Sequence, residues 1–403
     1  MTTARRTRYT VGLMGLDASS VAEFTRAVAP SMVALRRALH EYPEVGWAEH
    51  RTTRKIAEQL RAWDLQPVIR PAGTGAVVEV GRGERVVGFR ADLDALPIQE
   101  ESRADYVSQH PGAMHACGHD VHSAIAVGMA GVLAKLGEEM PGRVRIIFQP
   151  AEEQIPGGAA ELCSEGVTDD LSAIAAFHVD PSLAVGSIGI RHGGVTGASD
   201  RIVIRLQGPG GHTSRPHQTV DIAYAAGRVI TDLPGLLRHG VDPRETIAVV
   251  FGRLHGGSAD NVIPTQIELG GTVRLFNLDL WRMMPKLVEQ HVHDLIAPLG
   301  ATAEVEYVQG SPPVVNNVGV VDAFERAGHV ALGKGHVVET HQSLGSEDFA
   351  WFLESVPGAL IRLGAALPDR SVDLHSATFD VDESCIEHGI RVGVHAMAEL
   401  LEA

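Results

Sequence analysis

Three imidazoles, a thiol and a carboxylate lie within the eight consecutive positions 115 to 122, as His115, Cys117, His119, Asp120 and His122. Thiolate, imidazole and carboxylate groups are the usual protein ligands of zinc and related metals, so this density indicates half of a metal site. The same residues would also suit a polar loop before a helix, with Asp120 as the N-cap and the histidines solvated. On its own, the stretch is compatible with both interpretations.

A pair of carboxylates, Glu152-Glu153, is the second candidate for chemistry. Adjacent residues in an irregular segment can point in different directions, so one carboxylate can hold a metal while the other faces a substrate. A metal lowers the pKa of its bound water and a free carboxylate removes the proton, which suits the hydrolysis of an unreactive amide. A solvated acidic pair is the commoner fate of such a sequence. The strand-like run that precedes the pair and the Pro156-Gly157-Gly158 segment after it favour a site.

The elements that must position these groups are short β-branched runs that alternate with helical segments. This pattern predicts a largely parallel, helix-covered sheet, with helices over residues 31 to 63 and about 120 to 139. Runs that end at Phe89, Phe148 and Phe177 lead into Asp92 and Asp94, into the glutamate pair and into His178, and a fourth run, residues 359 to 364, is followed by His375. Ligands of open α/β sheets bind beyond the carboxyl ends of the strands. These side chains should therefore share one rim, which favours the metal interpretation.

Residues 189 to 308 follow a different pattern, β-α-β-β-α-β, which is typical of a ferredoxin-like domain. The predicted fold class is therefore α/β, with a helix-covered, largely parallel-sheet catalytic domain and an inserted ferredoxin-like α+β domain. The predicted division assigns residues 1–188 and 310–403 to the catalytic domain and residues 189–309 to the insert.

Composition narrows the class of protein further. A chain of 403 residues with 44% hydrophobic and 21% charged residues is typical of a globular protein with two or three domains. The formal net charge of −16 argues against nucleic acid as a partner, and no apolar run is long enough to span a bilayer. An Arg-rich start before a short apolar stretch, residues 5 to 16, resembles a secretory signal only faintly. Three widely spaced cysteines argue against a disulfide framework, so we expect a cytoplasmic protein.

Six motifs, in order along residues 31 to 400, resemble the amidohydrolase branch of the aminoacylase and carboxypeptidase G2 metallopeptidases, which includes hippurate hydrolases and plant indole-acetyl-amino-acid hydrolases. The motifs are Arg90-Ala91-Asp92-Leu93-Asp94-Ala95-Leu96-Pro97, Met114-His115-Ala116-Cys117-Gly118-His119-Asp120, Phe148-Gln149-Pro150-Ala151-Glu152-Glu153, Gly210-Gly211-His212-Thr213-Ser214-Arg215-Pro216-His217, Asp260-Asn261-Val262-Ile263-Pro264 and Ser346-Glu347-Asp348-Phe349.

The resemblance implies two divalent metal ions per subunit, for which Zn, Mn, Co or Ni would suit the ligand types. It implies Glu152 as the general base and Asp94 as an acid that orients a ligand. Cys117 takes the place of a bridging aspartate in related peptidases, so it would bridge the metals as a thiolate. The ligands implied in this way are Cys117, His119, Glu153, His178 and His375.

The insert resembles the lid and dimerisation domain of the family. The resemblance implies that His212 polarises the scissile carbonyl, often in the active site of the partner subunit, and that the protein is a homodimer. Asn261 and Arg274 would bind the carboxylate of the substrate. Two departures bear on specificity: Ser376-Ala377 replaces the usual Asn-Pro-Arg after the last ligand, and Thr213 replaces a glycine.

The sequence therefore predicts a metal-dependent hydrolase of N-acyl amino acids or similar small conjugates. A dipeptidase or carboxypeptidase on the same scaffold, a hydrolase with Cys117 as nucleophile, and a non-catalytic metal-binding protein remain as alternatives. Of the first stretch, only Cys117 and His119 are expected to bind metal. His115 and His122 would have supporting roles and Asp120 would cap a helix.

Overall fold

The computed structural model describes residues 16–136 and 140–403. Its helices are α1 Ala18–His40, α2 His50–Arg61, α3 His119–Leu136, α4 Gly158–Ser164, α5 Ile222–His239, α6 Leu278–Ile296, α7 Val318–Ala331, α8 Ala350–Leu353 and α9 Cys385–Glu402, with short 3₁₀ helices at Pro216–Gln218 and Ala297–Leu299. Its strands are β1 Val68–Ile69, β2 Ala76–Gly81, β3 Val86–Asp92, β4 Arg143–Gln149, β5 Leu171–Ala184, β6 Ile188–Ile190, β7 Gly193–Thr196, β8 Ser199–Gln207, β9 Gly211–His212, β10 Ile247–Gly256, β11 Val262–Ile263, β12 Gln266–Leu275, β13 Thr302–Ser311, β14 Val314–Asn316, β15 Val337–Glu339 and β16 Gly358–Ala366.

An eight-stranded sheet with the order β1-β2-β4-β3-β5-β16-β6-β15 forms the larger layer. Its four central strands, β4, β3, β5 and β16, are mutually parallel, and antiparallel pairs occur towards both edges. Every residue of β3 is buried, as expected for a central parallel strand that is covered by helices on both faces. The carboxyl ends of these four strands therefore meet at one rim.

Helix α3 crosses the core behind that rim, and its residues are buried continuously from His119 to Leu133. Small residues let neighbouring helices approach closely: a Cβ on Gly128 would lie 2.3 Å from Cδ1 of Ile390 in α9. A helix that is apolar on all sides is stable only when it is covered by other elements, and α1 and α9 supply that cover. The N-terminus of α3 is thereby fixed at the rim of the sheet.

A separate four-stranded antiparallel sheet has the order β10-β12-β8-β13. Helices α5 and α6 pack on one face of this sheet around a hydrophobic core of their own, which includes Ile202, Leu233 and Val288. The strand and helix order is β-α-β-β-α-β, as the periodicity predicted.

The predicted fold class is confirmed: a mostly parallel, helix-covered sheet is joined to a separate antiparallel α+β insert. The predicted helix over 120 to 139 is α3, and residues 137 to 139 lie outside the described residues, as does the Arg-rich start. The domain division remains a proposal. Because Ile188–Ile190 pairs within the eight-stranded sheet, we now place its first boundary after that strand.

Within residues 16–136 and 140–403, every helix is too short or too polar to cross a membrane.

Candidate metal centre and substrate cavity

Four segments bring the five expected ligands together at the rim of the large sheet. Cys117 and His119 lie at the start of α3, and their donor atoms and a carboxylate oxygen of Glu153 all lie within 4.8 Å of one another. Sγ of Cys117 is 3.5 Å from Nε2 of His178. On the other side, Oε1 of Glu153 is 3.2 Å from Nε2 of His375. The cluster therefore contains one thiol, three imidazoles and one carboxylate.

The backbone at this cluster adopts left-handed conformations at three positions. Gly118, between the first two expected ligands, has φ +85°, and a Cβ there would lie 2.4 Å from Cγ2 of Val179. Glycine is therefore required at position 118. Ala151 and His375 have φ values of 51° and 62°, which are uncommon for residues with a side chain. The backbone N–H of His375 donates to the carbonyl of Ala116 at 2.8 Å, so the last ligand is attached to the segment that carries the first.

The donor atoms are oriented as a metal requires. Nδ1 of His119 donates to the carbonyl of Asp94 at 2.9 Å, and Nδ1 of His178 donates to the carbonyl of Val179 at 2.8 Å. Each bond directs an Nε2 lone pair into the cluster. Nε2 of His119 and Oε1 of Glu153 are buried and form no hydrogen bond with the described residues. Buried acceptors without donors fit a cation between them.

Electrostatics supports the same conclusion. Burial raises the pKa of the Cys117 thiol to about 12, so the thiol is not an activated nucleophile, whereas a bound cation would hold it as the thiolate. Burial, together with the nearby Arg362 guanidinium, holds the pKa of His178 well below its usual range. The imidazole is therefore neutral, which is the form that binds metals.

The carboxylate of Asp94 joins the two sides of the cluster. Its Oδ1 and Oδ2 accept hydrogen bonds from the backbone N–H groups of Glu152 and Glu153, at 3.0 and 2.9 Å. Its Oδ1 also lies 3.3 Å from Nδ1 of His119. One carboxylate thus positions the glutamate pair and one of the imidazoles, which supports the orienting role predicted for it.

Glu152 lies in a buried acidic cluster with Glu347 and Asp348. Burial, reinforced by Glu347 and the other nearby carboxylates, raises the pKa of Glu152 well above its usual range. The backbone N–H of Asp348 donates to Oε1 of Glu152 at 3.3 Å, and Oε2 lies 3.8 Å from Nε2 of His119. Glu152 therefore borders the cluster, with its carboxylate between the backbone of Asp348 and the imidazole of His119.

Arg90 balances the charge of this acidic cluster. Its fully buried guanidinium pairs with Asp92, Glu347 and Asp348 at 2.6 to 2.9 Å. Arg90, Glu347 and Asp348 lie within the motifs quoted above, but the sequence alone predicts no role for them. Their signal is the arginine in a predicted buried strand, because a buried charge requires partners.

A cavity of about 410 Å³ opens onto the cluster. The expected ligands Cys117, Glu153, His178 and His375 line one side. The remaining lining residues are Glu152, Gln154, Ile155, Thr196, Arg274, Ser311, Ser343, Gly345, Ser346, Glu347, Arg362 and Leu374. A pocket of this size fits a small molecule beside the metal cluster.

Comparison with known proteins identifies the relatives of this arrangement. Residues 88–399 match the peptidase family M20/M25/M40. The chain belongs to this family. It is a hydrolase of the amidohydrolase branch, as the motifs indicated.

Individual relatives of this M20 chain match most of its length. An N-acyl-L-amino acid amidohydrolase of Geobacillus stearothermophilus is 38% identical over 291 residues, which cover 72% of the chain and 79% of that protein. The solved structure of the Bacillus subtilis YXEP protein, described as a dinuclear metal-binding peptidase of the M20 family, is 33% identical. It superposes with a TM-score of 0.82 and covers 94% of this chain and 99% of its own.

One relative is much longer than this M20 chain. A protein of Rhodococcus jostii that carries a glutamate–cysteine ligase name is 40% identical over 373 residues. The match covers 92% of this chain but 46% of that protein.

The two remaining histidines of the opening stretch differ in their partners. Nδ1 of His122 lies 2.7 Å from Oδ1 of Asp92, and its Nε2 accepts the backbone N–H of Val179 at 2.9 Å, so both ring nitrogens are occupied. His115 is buried, and neither of its ring nitrogens bonds to a described residue. Burial lowers the pKa of His115 to about 4, so the ring is neutral.

The expectation that Asp120 caps α3 is wrong. Asp120 lies inside the first turn of the helix and is buried. Its Oδ2 pairs with Nε of Arg36 and with Nδ1 of His40, each at 2.8 Å. The side chain anchors α3 to α1 because its partners lie about eighty residues earlier in the sequence, where a local cap pattern gives no information.

The three residues expected from the insert separate into two groups. Arg274 lines the cavity, and its Nη1 donates to the carbonyl of Leu344 at 2.7 Å. His212 and Asn261 are exposed and do not line the cavity. They lie together on a two-stranded ribbon in which Val262 pairs with His212. The five expected metal ligands are thus brought together within one chain without His212 or Asn261.

Proposed function

We propose that this protein hydrolyses the amide bond of N-acyl amino acids or of similar small conjugates, with two divalent metal ions. The observation that carries the proposal is the position of Glu152, a buried carboxylate at the edge of the metal-ligating cluster and inside the cavity. Arg274, which also lines the cavity, supplies a cation for the carboxylate of an amino acid. The amidohydrolase name of the Geobacillus relative supports the same reaction class.

Cys117, His119, Glu153, His178 and His375 would hold the two metals, and Cys117 would contribute its sulfur as a thiolate. Zn, Mn, Co or Ni suits this mixed set of sulfur, nitrogen and oxygen donors. When bound, the metals lower the pKa of a water molecule and polarise the scissile carbonyl. Asp94 holds His119 and the backbone of Glu152 and Glu153 in position through three contacts of its carboxylate.

Glu152 moves the proton in the proposed reaction. Its carboxylate removes a proton from the attacking water as the oxygen bonds to the carbonyl carbon. It then gives that proton to the amide nitrogen as the C–N bond breaks, so the products are a carboxylate and an amine. The raised pKa of Glu152 suits both steps, because the group must accept a proton and then release it.

His212 and Asn261 complete the site in this proposal from the partner subunit of a homodimer. Their exposed ribbon lies outside the cavity of their own chain, so it is available to the cavity of another. His212 would donate to the oxygen of the scissile carbonyl, and Asn261 would bind the carboxylate of the substrate. We further propose a cytoplasmic location, which is supported by cysteines that are all free thiols in the described part of the chain.

A substrate panel tests the proposal. The purified protein, loaded in turn with each candidate metal, should release amino acids from N-acyl amino acids faster than from free dipeptides, which present the same carboxylate to Arg274 but place a charged amine beside the scissile carbonyl. Chelation should abolish turnover, and a divalent cation should restore it. Faster hydrolysis of dipeptides would favour the peptidase alternative. Activity that survives chelation would contradict metal dependence and favour Cys117 as a nucleophile.

A further inference from the structure

We propose that Arg362 is a specificity-determining residue that binds a second carboxylate of the substrate. The preferred substrate would then be an N-acyl amino acid with two carboxylates. This inference rests on the proposed function and names its substrate class.

The sheet register directs Arg362 into the cavity. In β16, Arg362 is the partner of His178 in β5, and the two strands are parallel. Paired residues of neighbouring strands place their side chains on the same face of a sheet. His178 faces the metal cluster, and both side chains line the cavity. Arg362 therefore stands beside the reacting groups.

Arg362 also has room to extend, because its neighbour on the other side is a glycine. Gly189 in β6 pairs with Arg362, and a Cβ at Gly189 would lie 3.2 Å from the Cβ of Arg362. A larger residue at position 189 would thus compete with the arginine side chain for space. The long guanidinium side chain is accommodated at this point of the sheet.

Arg274 and Arg362, the two arginines that line the cavity, differ from the buried arginines of the protein in their partners. Over residues 16–136 and 140–403, no carboxylate forms a salt bridge with Arg362 or Arg274, whereas the buried Arg36 and Arg90 each have three. Both cavity arginines are partly buried, where an uncompensated charge is unfavourable. They lie in different sheets, β16 of the large sheet and β12 of the insert. A ligand with two anionic groups would neutralise both.

The rest of the cavity wall is polar. Thr196, Ser311, Ser343 and Ser346 line the cavity, and the buried Oγ1 of Thr196 has no partner among the described residues. The aliphatic side chains are those of Ile155 and Leu374, and the described lining residues include no aromatic side chain. Ligand pockets are generally lined by apolar and aromatic residues. The hydroxyl groups of this wall can form hydrogen bonds with the polar atoms of a small acid.

The departures noted in the sequence lie elsewhere. Ser376 and Ala377, which replace the usual residues after the last ligand, do not line the cavity. Arg274 would hold the carboxylate of the amino acid and Arg362 the second one. That second carboxylate can belong to the side chain of the amino acid or to the acyl group, and an experiment can separate the two.

The experiment compares isosteric pairs of substrates on the metal-loaded enzyme. N-acetyl-L-glutamate is paired with N-acetyl-L-glutamine, and N-succinyl-L-alanine with N-succinamoyl-L-alanine. Each pair exchanges one carboxylate for an amide. We expect kcat/KM for the dicarboxylate of at least one pair to exceed that for its amide by about tenfold or more, since a charged hydrogen bond is lost with the amide. The pair with the larger ratio identifies the position of the second carboxylate.

Arg362→Gln should lower that ratio by about tenfold, and Arg362→Lys, which keeps the charge, should preserve part of it. Arg326→Gln is the matched control: it removes one positive charge from an exposed pair with Glu399, outside the cavity, and should leave the ratio unchanged. The proposal would be overturned if the wild-type enzyme hydrolysed N-acetyl-L-glutamine and N-succinamoyl-L-alanine faster than the corresponding dicarboxylates. A ratio that is the same in Arg362→Gln as in the wild-type enzyme would do so as well.

Calorimetric binding keeps this test independent of the proposed reaction. Glutarate should bind the metal-loaded wild-type protein about tenfold more tightly than butyrate, and Arg362→Gln should remove the difference. If no N-acyl amino acid is hydrolysed, the proposed function fails, and the binding result still decides whether Arg362 holds a second carboxylate. Equal affinities for glutarate and butyrate would contradict the role proposed for Arg362 but not the proposed function.

Discussion

Arg36 and Asp120 form a fully buried salt bridge, with 2.8 Å between Nε and Oδ2 and no exposure of either side chain. Asp120 directly follows His119, an expected metal ligand, and Arg36 lies on α1. The same guanidinium pairs with Asp380 and Glu383, which follow His375 in the sequence. One arginine thus joins α1 to the first and the last of the four chain segments that bear expected ligands.

Removal of that arginine should destabilise the protein strongly. Arg36→Met leaves Asp120 buried without its guanidinium, at an expected cost of about 3–5 kcal/mol in the free energy of unfolding, measured by denaturant titration. Arg37→Met is the matched control on the same helix. Its side chain is 48% exposed and also pairs with Glu383, so its loss should cost at most about 1 kcal/mol. Equal costs for the two variants would contradict the anchoring role of Arg36.

The contribution of His40 to stability should depend on pH. Burial lowers the pKa of His40, but hydrogen bonds to Asp120 and Glu100 outweigh burial and raise the pKa above its ordinary value. A group whose pKa is higher in the folded state than in the unfolded state stabilises the protein fully at pH values below the unfolded-state pKa of about 6.5. This stabilisation is lost as the pH rises through the folded-state pKa. The destabilisation caused by His40→Gln should therefore be larger at pH 6 than at pH 9. Equilibrium unfolding at both pH values measures it, and a larger effect at pH 9 would contradict the sign.

Glu152→Gln should separate catalysis from metal binding. The amide keeps the shape of the side chain but cannot accept the proton of water, so kcat should fall by a factor of about 10²–10⁴. Metal content, measured by elemental analysis, should stay at two ions per subunit in this proposal. Glu153→Gln is the counterpart and should lose metal as well as activity. Full activity in Glu152→Gln would exclude Glu152 as the base.

Asp94→Asn should weaken metal binding without removing a ligand. The carboxylate accepts from two backbone N–H groups, and an asparagine can accept from only one of them while its NH₂ group faces the other. We expect a loss of about 10–100-fold in metal affinity, measured by competition with a fluorescent chelator. Asp105→Asn, at an exposed position, serves as the control. Unchanged affinity in Asp94→Asn would show that the hydrogen bonds do not orient the ligands.

His212→Ala and Glu152→Gln test whether subunits share active sites. Each variant alone should be inactive or nearly so. If His212 serves the partner's cavity, mixed dimers contain one site with both residues intact. Random exchange of subunits should then restore about a quarter of the wild-type activity. No recovery after complete exchange, verified by mass spectrometry, would place His212 in its own subunit's site or outside catalysis.

The sequence predicted that the expected ligands come together because most of them lie near an end of a regular element, although His178 lies inside β5, which continues to Ala184. Glu153 and His178 come at the ends of apolar runs, and their strands are parallel neighbours of β3 in the sheet. Local periodicity is enough to identify such runs. Parallel strands present their carboxyl ends at the same edge of a sheet, so the residues that follow these runs should lie close together. These residues could therefore be grouped without knowledge of the three-dimensional structure.

Other features could not be predicted because they depend on partners far apart in the sequence. Asp120 has the local pattern of a helix cap, and only the position of Arg36 on α1 gives it a buried ion pair. Arg362 reads as an ordinary strand residue until the register places it opposite His178. His212 and Asn261 are exposed within one chain, so the roles proposed for them would require a second subunit.

The hydrogen bond from His375 to Ala116 has a consequence for biosynthesis. It fixes the last ligand to the first ligand segment, and β16, which precedes His375, lies between β5 and β6 in the sheet. While a ribosome is still making the chain, Cys117 and His119 emerge more than two hundred residues before the strand that completes their sheet. The five expected ligands can therefore come together only after nearly the entire chain has been translated.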